Sequence, residues 1–384
     1  MRILISSTYF YPYSSGLSVY ALRLAEGLAE RGHEVVVLTS QYQKDLDELE
    51  PYGKFQIARV PVATKLSKGV LMPTLHKIGR QWIAWADVVN LHLPQFESVF
   101  LSQIAKEFKK PVLVTYHCDL VMGAGWLDRL AGLVTTAISR KVVRDANLIV
   151  QNSLDYAENS PVLSLHLEKV FEVPTPVKVR PVSKERVEAF RQKFGLKNGE
   201  KVIGLAGRVA TEKGYEYLAM ALPGILQTFP QARVLHAGAW KSVIGEQNYQ
   251  SQVERQIEPF GKKWQSLGYL SDEDFEAFFG ACDVLVFSSL NATESYGIVQ
   301  IEAMTQGTPV VASDLPGVRQ PVTQTGLGKI IPIRDPDAIR RAVVEILTKG
   351  EKYRVIPTEF LEKFQQEAVA LRYEELLGLL VSHD

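Results

Sequence analysis

The residues best suited to chemistry are two cations, two carboxylates and an imidazole: Arg208, Lys213, Glu294, Glu302 and His117. Arg208 and Lys213 share the loop Gly207-Arg-Val-Ala-Thr-Glu-Lys-Gly214, which runs into a helical stretch carrying Tyr215, Tyr217, Leu218 and Leu222. A lysine at a helix N-terminus opposes the helix dipole by about 0.3–1 kcal/mol, so an anion is expected beside it. For a lone lysine, Glu212 or solvent would serve. With a second cation in the same loop, a diphosphate is the better match. Glu294 and Glu302 bracket the segment Glu294-Ser-Tyr-Gly297-Ile298-Val299-Gln-Ile-Glu302. Gly297 reads as opening a helix whose first amides, from Gly297 to Val299, offer a second anion site, with Glu302 one to two turns inside. An ionised carboxylate only accepts hydrogen bonds, so Glu302 suits a ribose diol and Glu294 the hydroxyls of a sugar. The competing reading, a solvated helix charge and a loop charge, is weakened by the apolar flanks Ile298, Ile301, Ala303 and Met304.

Such groups need a scaffold, and the chain alternates short β-branched runs with amphipathic helical stretches, the pattern of a parallel sheet with crossover helices. Strands are expected at Arg2–Ser6, Glu34–Thr39, Asp87–Leu91, Val112–Tyr116, Asn147–Val150 and Val170–Val173. A helix is expected over Leu17–Glu30, stopped by Gly32. The stretch Pro174-Thr-Pro-Val-Lys-Val-Arg-Pro181 then breaks the pattern and reads as a linker. Alternation restarts with strands at Val202–Ala206, Arg233–Ala237, Asp283–Ser288 and Pro309–Ala312. The expected fold is α/β, with two doubly wound domains, residues 1–175 and 176–357, facing each other across a cleft. In such sheets ligands bind beyond the carboxyl ends of the strands, where Arg208, Lys213, Glu294 and His117 all lie.

Composition limits the alternatives. Basic and acidic residues number 43 each, so no global field draws in nucleic acid. The two cysteines, Cys118 and Cys282, lack the spacing of a zinc site or a disulfide framework and fit a reducing compartment. No apolar run approaches the roughly 20 residues that span a bilayer. The expected location is the cytoplasm, free or peripheral on the inner membrane face.

The Arg208/Lys213 loop, the Glu294–Glu302 motif, and the run Gly307-Thr-Pro-Val-Val-Ala-Ser-Asp314 with Gly317 resemble the family-four, glycogen-synthase-like "group 1" glycosyltransferases of the GT-B fold. Tyr11-Pro12, Gly16 and Gly32-His-Glu-Val35 are similar to that family's opening, and Thr115-Tyr-His117-Cys-Asp119 to its active-site histidine loop. The resemblance covers nearly the whole chain. It implies that Arg208 and Lys213 clamp the diphosphate of a nucleotide-sugar donor, that Glu302 holds the ribose, and that Glu294 with the amides of Gly297, Ile298 and Val299 holds the sugar and distal phosphate. Gly16 and Leu17 would approach the diphosphate through their backbone. Gly268, Tyr269 and Leu270 would meet the base, Gly238 would line the same pocket, and His117 would contact the transferred sugar. The chain departs from the family in having Gly16-Leu17 where a Gly-Gly pair is frequent, and Pro174-Thr-Pro176 where an Asn-Gly pair often precedes the linker. The last helical stretch, 358–384, is expected to cross back onto the first domain, as the family's last helix does.

The implied reaction is retaining transfer of a hexose, from UDP-glucose or a related UDP-hexose ahead of GDP-mannose, to a glycan or lipid-linked acceptor in polysaccharide or glycolipid synthesis. No cofactor or catalytic metal is expected. The Asp-x-Asp pairs Asp45/Asp47, Asp272/Asp274 and Asp335/Asp337 read as an acidic surface run and two helix starts. Between Lys65 and Arg144 basic residues, Lys68 and Arg129 among them, outnumber acidic ones by six, interleaved with Leu71, Met72, Trp82, Trp85, Trp126, Leu127, Leu130 and Leu133. That mixture suits an anionic membrane surface, or equally a core with a solvated basic face. A nucleotide-sugar epimerase or a non-catalytic nucleotide-sugar-binding protein would share the architecture. A nicotinamide dehydrogenase is disfavoured, because Tyr9-Phe-Tyr-Pro-Tyr13 stands where a G-x-G-x-x-G turn would be needed.

Overall fold

The computed structural model describes residues 1–382 apart from 67–68, 122–124, 242 and 244, with the backbone alone at 66 and 126–129. Lys68 and the side chains of Trp126, Leu127 and Arg129 therefore lie outside the described residues. The chain divides into two compact units, Met1–Val177 with Lys363–Asp384, and Lys178–Glu362.

The first unit is built on strands β1 (Arg2–Ser6), β2 (Glu34–Gln41), β3 (Leu49–Tyr52), β4 (Phe55–Pro61), the hairpin β5 (Thr64–Leu66) and β6 (Gly69–Leu71), then β7 (Val88–Leu93), β8 (Val112–Tyr116), β9 (Leu148–Gln151) and β10 (Val170–Glu172). The main sheet has the order β10-β9-β8-β7-β1-β2-β4-β3, parallel throughout except where β3 runs against β4. The helix Gly16–Glu30 starts at Ser15, which forms a reciprocal capping box with Ser18. It buries Tyr20, Ala21, Leu24, Ala25 and Leu28 in the same core as Tyr373, Leu376 and Leu377 of the C-terminal helix Gln366–Val381. A Cβ at Gly27 would lie 2.8 Å from that of Ala370, so glycine permits this close approach.

The C-terminal stretch is two helices rather than one, Thr358–Glu362 and Gln366–Val381, and the division between units falls in the gap. The gap is an extended turn in which the carbonyl of buried Phe364 accepts from the Val177 amide at 2.7 Å and Gln365 bridges Val177 in parallel. Pairing with a residue so distant in sequence overrides local helix propensity.

The second unit is a six-stranded parallel sheet of order β13-β12-β11-β14-β15-β16, from β11 (Val202–Ala206), β12 (Arg233–Ala237), β13 (Trp264–Gly268), β14 (Val284–Phe287), β15 (Val310–Ser313) and β16 (Gly328–Ile331). The helices Tyr215–Thr228 and Pro336–Lys349 pack together over it through Leu218, Leu222, Ile225, Ile339, Val343 and Ile346. Strand order reverses between β11 and β14, the switch point at whose carboxyl ends an open α/β sheet binds ligands. The edge strands β3, β13 and β16 carry at most one buried residue each, so they lack the apolar run that marks the central strands.

Candidate functional site

Three glycines lace the strand ends of the second unit together. The Gly207 amide donates to the Ala237 carbonyl at 2.9 Å and the Gly238 amide to the Gly268 carbonyl at 2.8 Å. Buried His236 donates from Nε2 to the Gly207 carbonyl at 2.7 Å, leaving Nδ1 to accept from Ser266 Oγ at 3.2 Å. Burial lowers its pKa to about 4, which keeps it neutral in this role.

The loop after β11 carries the two expected cations. Arg208 donates to Glu212 at 2.7 Å. Lys213 ends a 3-10 turn, Thr211–Lys213, and Gly214 follows at φ +63° as the cap of Tyr215–Thr228. Lys213 Nζ donates to Glu294 Oε2 at 2.5 Å across 81 positions of sequence, and sits 5.3 Å from the centre of the Phe287 ring. Ser288 Oγ donates to the carbonyls of Lys213 and Gly214 at 3.0 and 3.1 Å, and the Leu290 amide donates to the Glu212 carbonyl at 2.9 Å. The loops after β11 and β14 are thus sewn together at the switch point, and Arg208, Lys213 and Glu294 are held there. Glu212, the neighbour that could have answered a lone Lys213, pairs with Arg208 instead, and Glu294, from the far loop, is the partner of Lys213.

Gly297, at φ +84°, caps the helix Ile298–Thr305, in which Ile298 and Val299 form the first turn and Glu302 is half-buried. A Cβ at Gly297 would come within 2.5 Å of the Phe287 ring, so glycine lets this helix start close against β14. At the end of β13, Gly268 has φ +70° with open space around it, Tyr269 is 74% exposed and Leu270 is half-buried.

Gly16, Leu17 and His117 belong to the first unit. Gly16 opens the helix Gly16–Glu30, and a Cβ there would meet nothing within 4 Å, so the fold itself makes no demand for glycine at that position. His117 follows β8 and is buried, with Nε2 2.9 Å from Nδ1 of the fully buried His92. Burial takes the pKa of His117 down to about 3 and that of His92 well below its ordinary value. The sequence reading missed His92 and His236. The available signal was polarity at alternate positions of buried strands: Asn90 and His92 in β7, and Thr115 leading to His117 in β8.

The Asp-x-Asp pairs serve helix starts where expected. Asp335 accepts the Ala338 amide at 2.8 Å, and Asp272 and Asp274 fill the first turn of Asp272–Ala281. Neither Cys118 nor Cys282 forms a disulfide among the described residues.

His92, His117 and His236 give stability a pH dependence of definite sign. Each takes a proton in the unfolded chain below about pH 6.5 and refuses it when folded, so the unfolded state binds more protons and stability falls with falling pH. Unfolding free energies from urea titrations are expected to drop between about pH 6.5 and 4, by up to about 1.4 kcal/mol per pH unit for each histidine, with the midpoints falling accordingly. A flat midpoint over that range would mean that these imidazoles are not held neutral.

Two family models match the chain, "Glycosyl transferase 4-like domain" over residues 15–174 and "Glycosyl transferases group 1" over residues 186–359. A phosphatidyl-myo-inositol mannosyltransferase of Mycolicibacterium smegmatis is 26% identical over 353 residues, covering 90% of this chain and 85% of its own. Among solved structures, a sucrose-phosphate synthase from Thermosynechococcus elongatus superposes with a TM-score of 0.78 at 19% identity over 100% of both chains. Anabaena HepE in complex with UDP superposes with a TM-score of 0.76 at 19% identity, over 98% of this chain and 100% of its own. With both halves matched in order, the switch-point loops built as described and the fold shared end to end, this chain belongs to the group 1 glycosyltransferases of the GT-B fold.

Proposed function

We propose that the chain is a retaining hexosyltransferase that uses a nucleotide diphosphate sugar, a UDP-hexose before GDP-mannose, and needs no metal. The observation that carries this reading is the contact of Lys213 with Glu294 at the β11/β14 switch point, beside Arg208. The two cations neutralise the leaving diphosphate, work that a divalent ion would otherwise do. Glu294 and the amides of Gly297, Ile298 and Val299 hold the sugar and distal phosphate, and Glu302 holds the ribose. Gly238, Gly268, Tyr269 and Leu270 frame the base. Gly16, where the fold leaves room for a side chain it does not have, admits the diphosphate to the amides of Gly16 and Leu17. His117 contacts the transferred sugar. The sugar–phosphate bond breaks as the acceptor hydroxyl attacks from the same face, and the departing phosphate oxygen takes the hydroxyl proton, so configuration is kept. HepE is solved with UDP, which favours uridine, while the mycobacterial relative is named for mannosyl transfer.

Thermal shift with UDP, GDP, ADP and their sugars, measured in EDTA, tests the donor. A ligand at about 100 times its Kd adds about 2.7 kcal/mol, so UDP and UDP-hexoses are expected to raise Tm while Arg208→Ala abolishes the shift. No shift with any nucleotide, or a shift that requires metal, would overturn the assignment.

The acceptor we assign to lipid at a membrane surface. The helix Trp126–Asp145 exposes Leu130 at 53% and Leu133 at 70%, and packs against Ser98–Glu107, whose Phe100 is 49% exposed. Lys106 and Lys109 are exposed nearby in sequence, a basic and apolar combination suited to anionic lipid. No helix among the described residues is long and apolar enough to cross a membrane. Co-sedimentation with anionic liposomes at low salt is expected, and to be lost in Leu133→Glu; wild-type protein that stays in the supernatant would sink this assignment.

A further inference from the structure

A single hydrogen-bonded chain ends on His117, and its direction is fixed by which groups can donate. Thr115 Oγ1 donates to Asn90 Oδ1 at 2.9 Å. That hydroxyl has one proton, so at its 2.9 Å contact with Tyr373 it accepts, and Tyr373 in turn accepts from Tyr20 at 2.9 Å. With Oδ1 of Asn90 engaged by Thr115, its Nδ2 meets His92 Nε2 at 3.3 Å and can only donate. His92 Nε2 therefore carries a lone pair and its proton is on Nδ1, from which it donates to His117 Nε2 at 2.9 Å. His117 is left with its proton on Nδ1, which has no hydrogen-bond partner among the described residues.

We propose that Asn90, His92 and Thr115, anchored by Tyr373 of the C-terminal helix, are positioning residues that lock His117 in the Nδ1–H tautomer, making its remaining nitrogen a hydrogen-bond donor to an oxygen of the transferred sugar. The last clause rests on the reading of His117 given above. Register supports the design: His92 of β7 lies beside Thr115 of β8, and i, i+2 alternation puts Asn90 with His92, and Thr115 with His117, on one face. Tyr20 meets the His117 ring edge-on at 4.9 Å, which opposes rotation of the imidazole. Burial keeps both imidazoles neutral, so one tautomer rather than a cation is at stake. The chain ties the last helix of the protein to the sugar-contacting residue through four side chains, giving that helix a part in positioning as well as packing.

The intact protein labelled with 15N-histidine tests this directly, with the His117 signals assigned by their loss in His117→Gln. The expected spectrum near neutral pH shows His117 protonated at Nδ1 and bare at Nε2. Protonation at Nε2, or rapid averaging of the two forms, overturns the proposal. His92→Phe keeps an aromatic ring but removes the donor; His117 is expected to leave the single tautomer, and kcat to fall about tenfold with the donor KM nearly unchanged. An unchanged tautomer in His92→Phe would also overturn the proposal. The spectrum needs neither donor nor acceptor, so it stands apart from the transfer reading, which fails instead if His117→Ala keeps wild-type turnover.

Discussion

Lys213→Ala is expected to lower turnover at saturating donor by about 10²–10³-fold, the loss that follows removal of one charge aimed at a developing anion. The lysine is placed for this by three constraints that do not depend on it. Gly214 takes φ +63°, Ser288 Oγ accommodates the carbonyls on either side of that turn, and Phe287 lies beneath the ammonium. The ammonium pairs with Glu294, both side chains being less than 20% exposed. Truncating the lysine therefore strands a half-buried carboxylate as well as removing a cation, and some of any fall in Tm belongs to Glu294. The double variant Lys213→Ala/Glu294→Gln separates the two. It is expected to recover Tm relative to Lys213→Ala and to leave turnover low. Turnover near wild type in the single variant would take Lys213 out of the site.

Gly238→Ala is expected to be strongly destabilising. Gly238 has φ +139°, and a Cβ would lie 2.2 Å from the Gly207 carbonyl oxygen. The neighbour cannot yield, because that oxygen is held by His236 and the Gly207 amide by Ala237. Backbone strain of about 1–3 kcal/mol and an overlap penalty of similar size give roughly 2–6 kcal/mol together, a large share of the usual 5–15 kcal/mol. Gly268→Ala is the control. Its φ is +70° but a Cβ would meet nothing within 4 Å, so about 1–2 kcal/mol is expected. Equal losses from the two variants in urea unfolding would show that close backbone approach is not what glycine provides at 238.

Much of the scaffold is legible in local sequence. Strands β1, β8, β11 and β12 span the residues expected for them, since a central parallel strand is buried on both faces and needs no partner to be recognised. Glycines at Gly32, Gly214 and Gly297 mark turns because only glycine takes those positive φ values without strain. Edge strands were less readable. β13 buries only Trp264, so nothing in its pattern separates it from a loop.

The same division runs through the candidate site. Residue type and spacing alone determined that Arg208 and Lys213 share one strand-end loop and that Glu294 and Glu302 frame a helix start, because loop and helix geometry act over a few residues. Only the tertiary structure decided that Glu294 answers Lys213 while Glu212 answers Arg208, since opposite charges a few positions apart and 81 positions apart compete on equal terms once the fold brings them together. It alone made His92 the partner of His117 and brought Tyr373, from the far end of the chain, to Thr115. Strand register and helix packing set those contacts. They arise from burial of apolar surface by residues far from the polar ones they align, and so leave no trace in the spacing of the polar residues themselves.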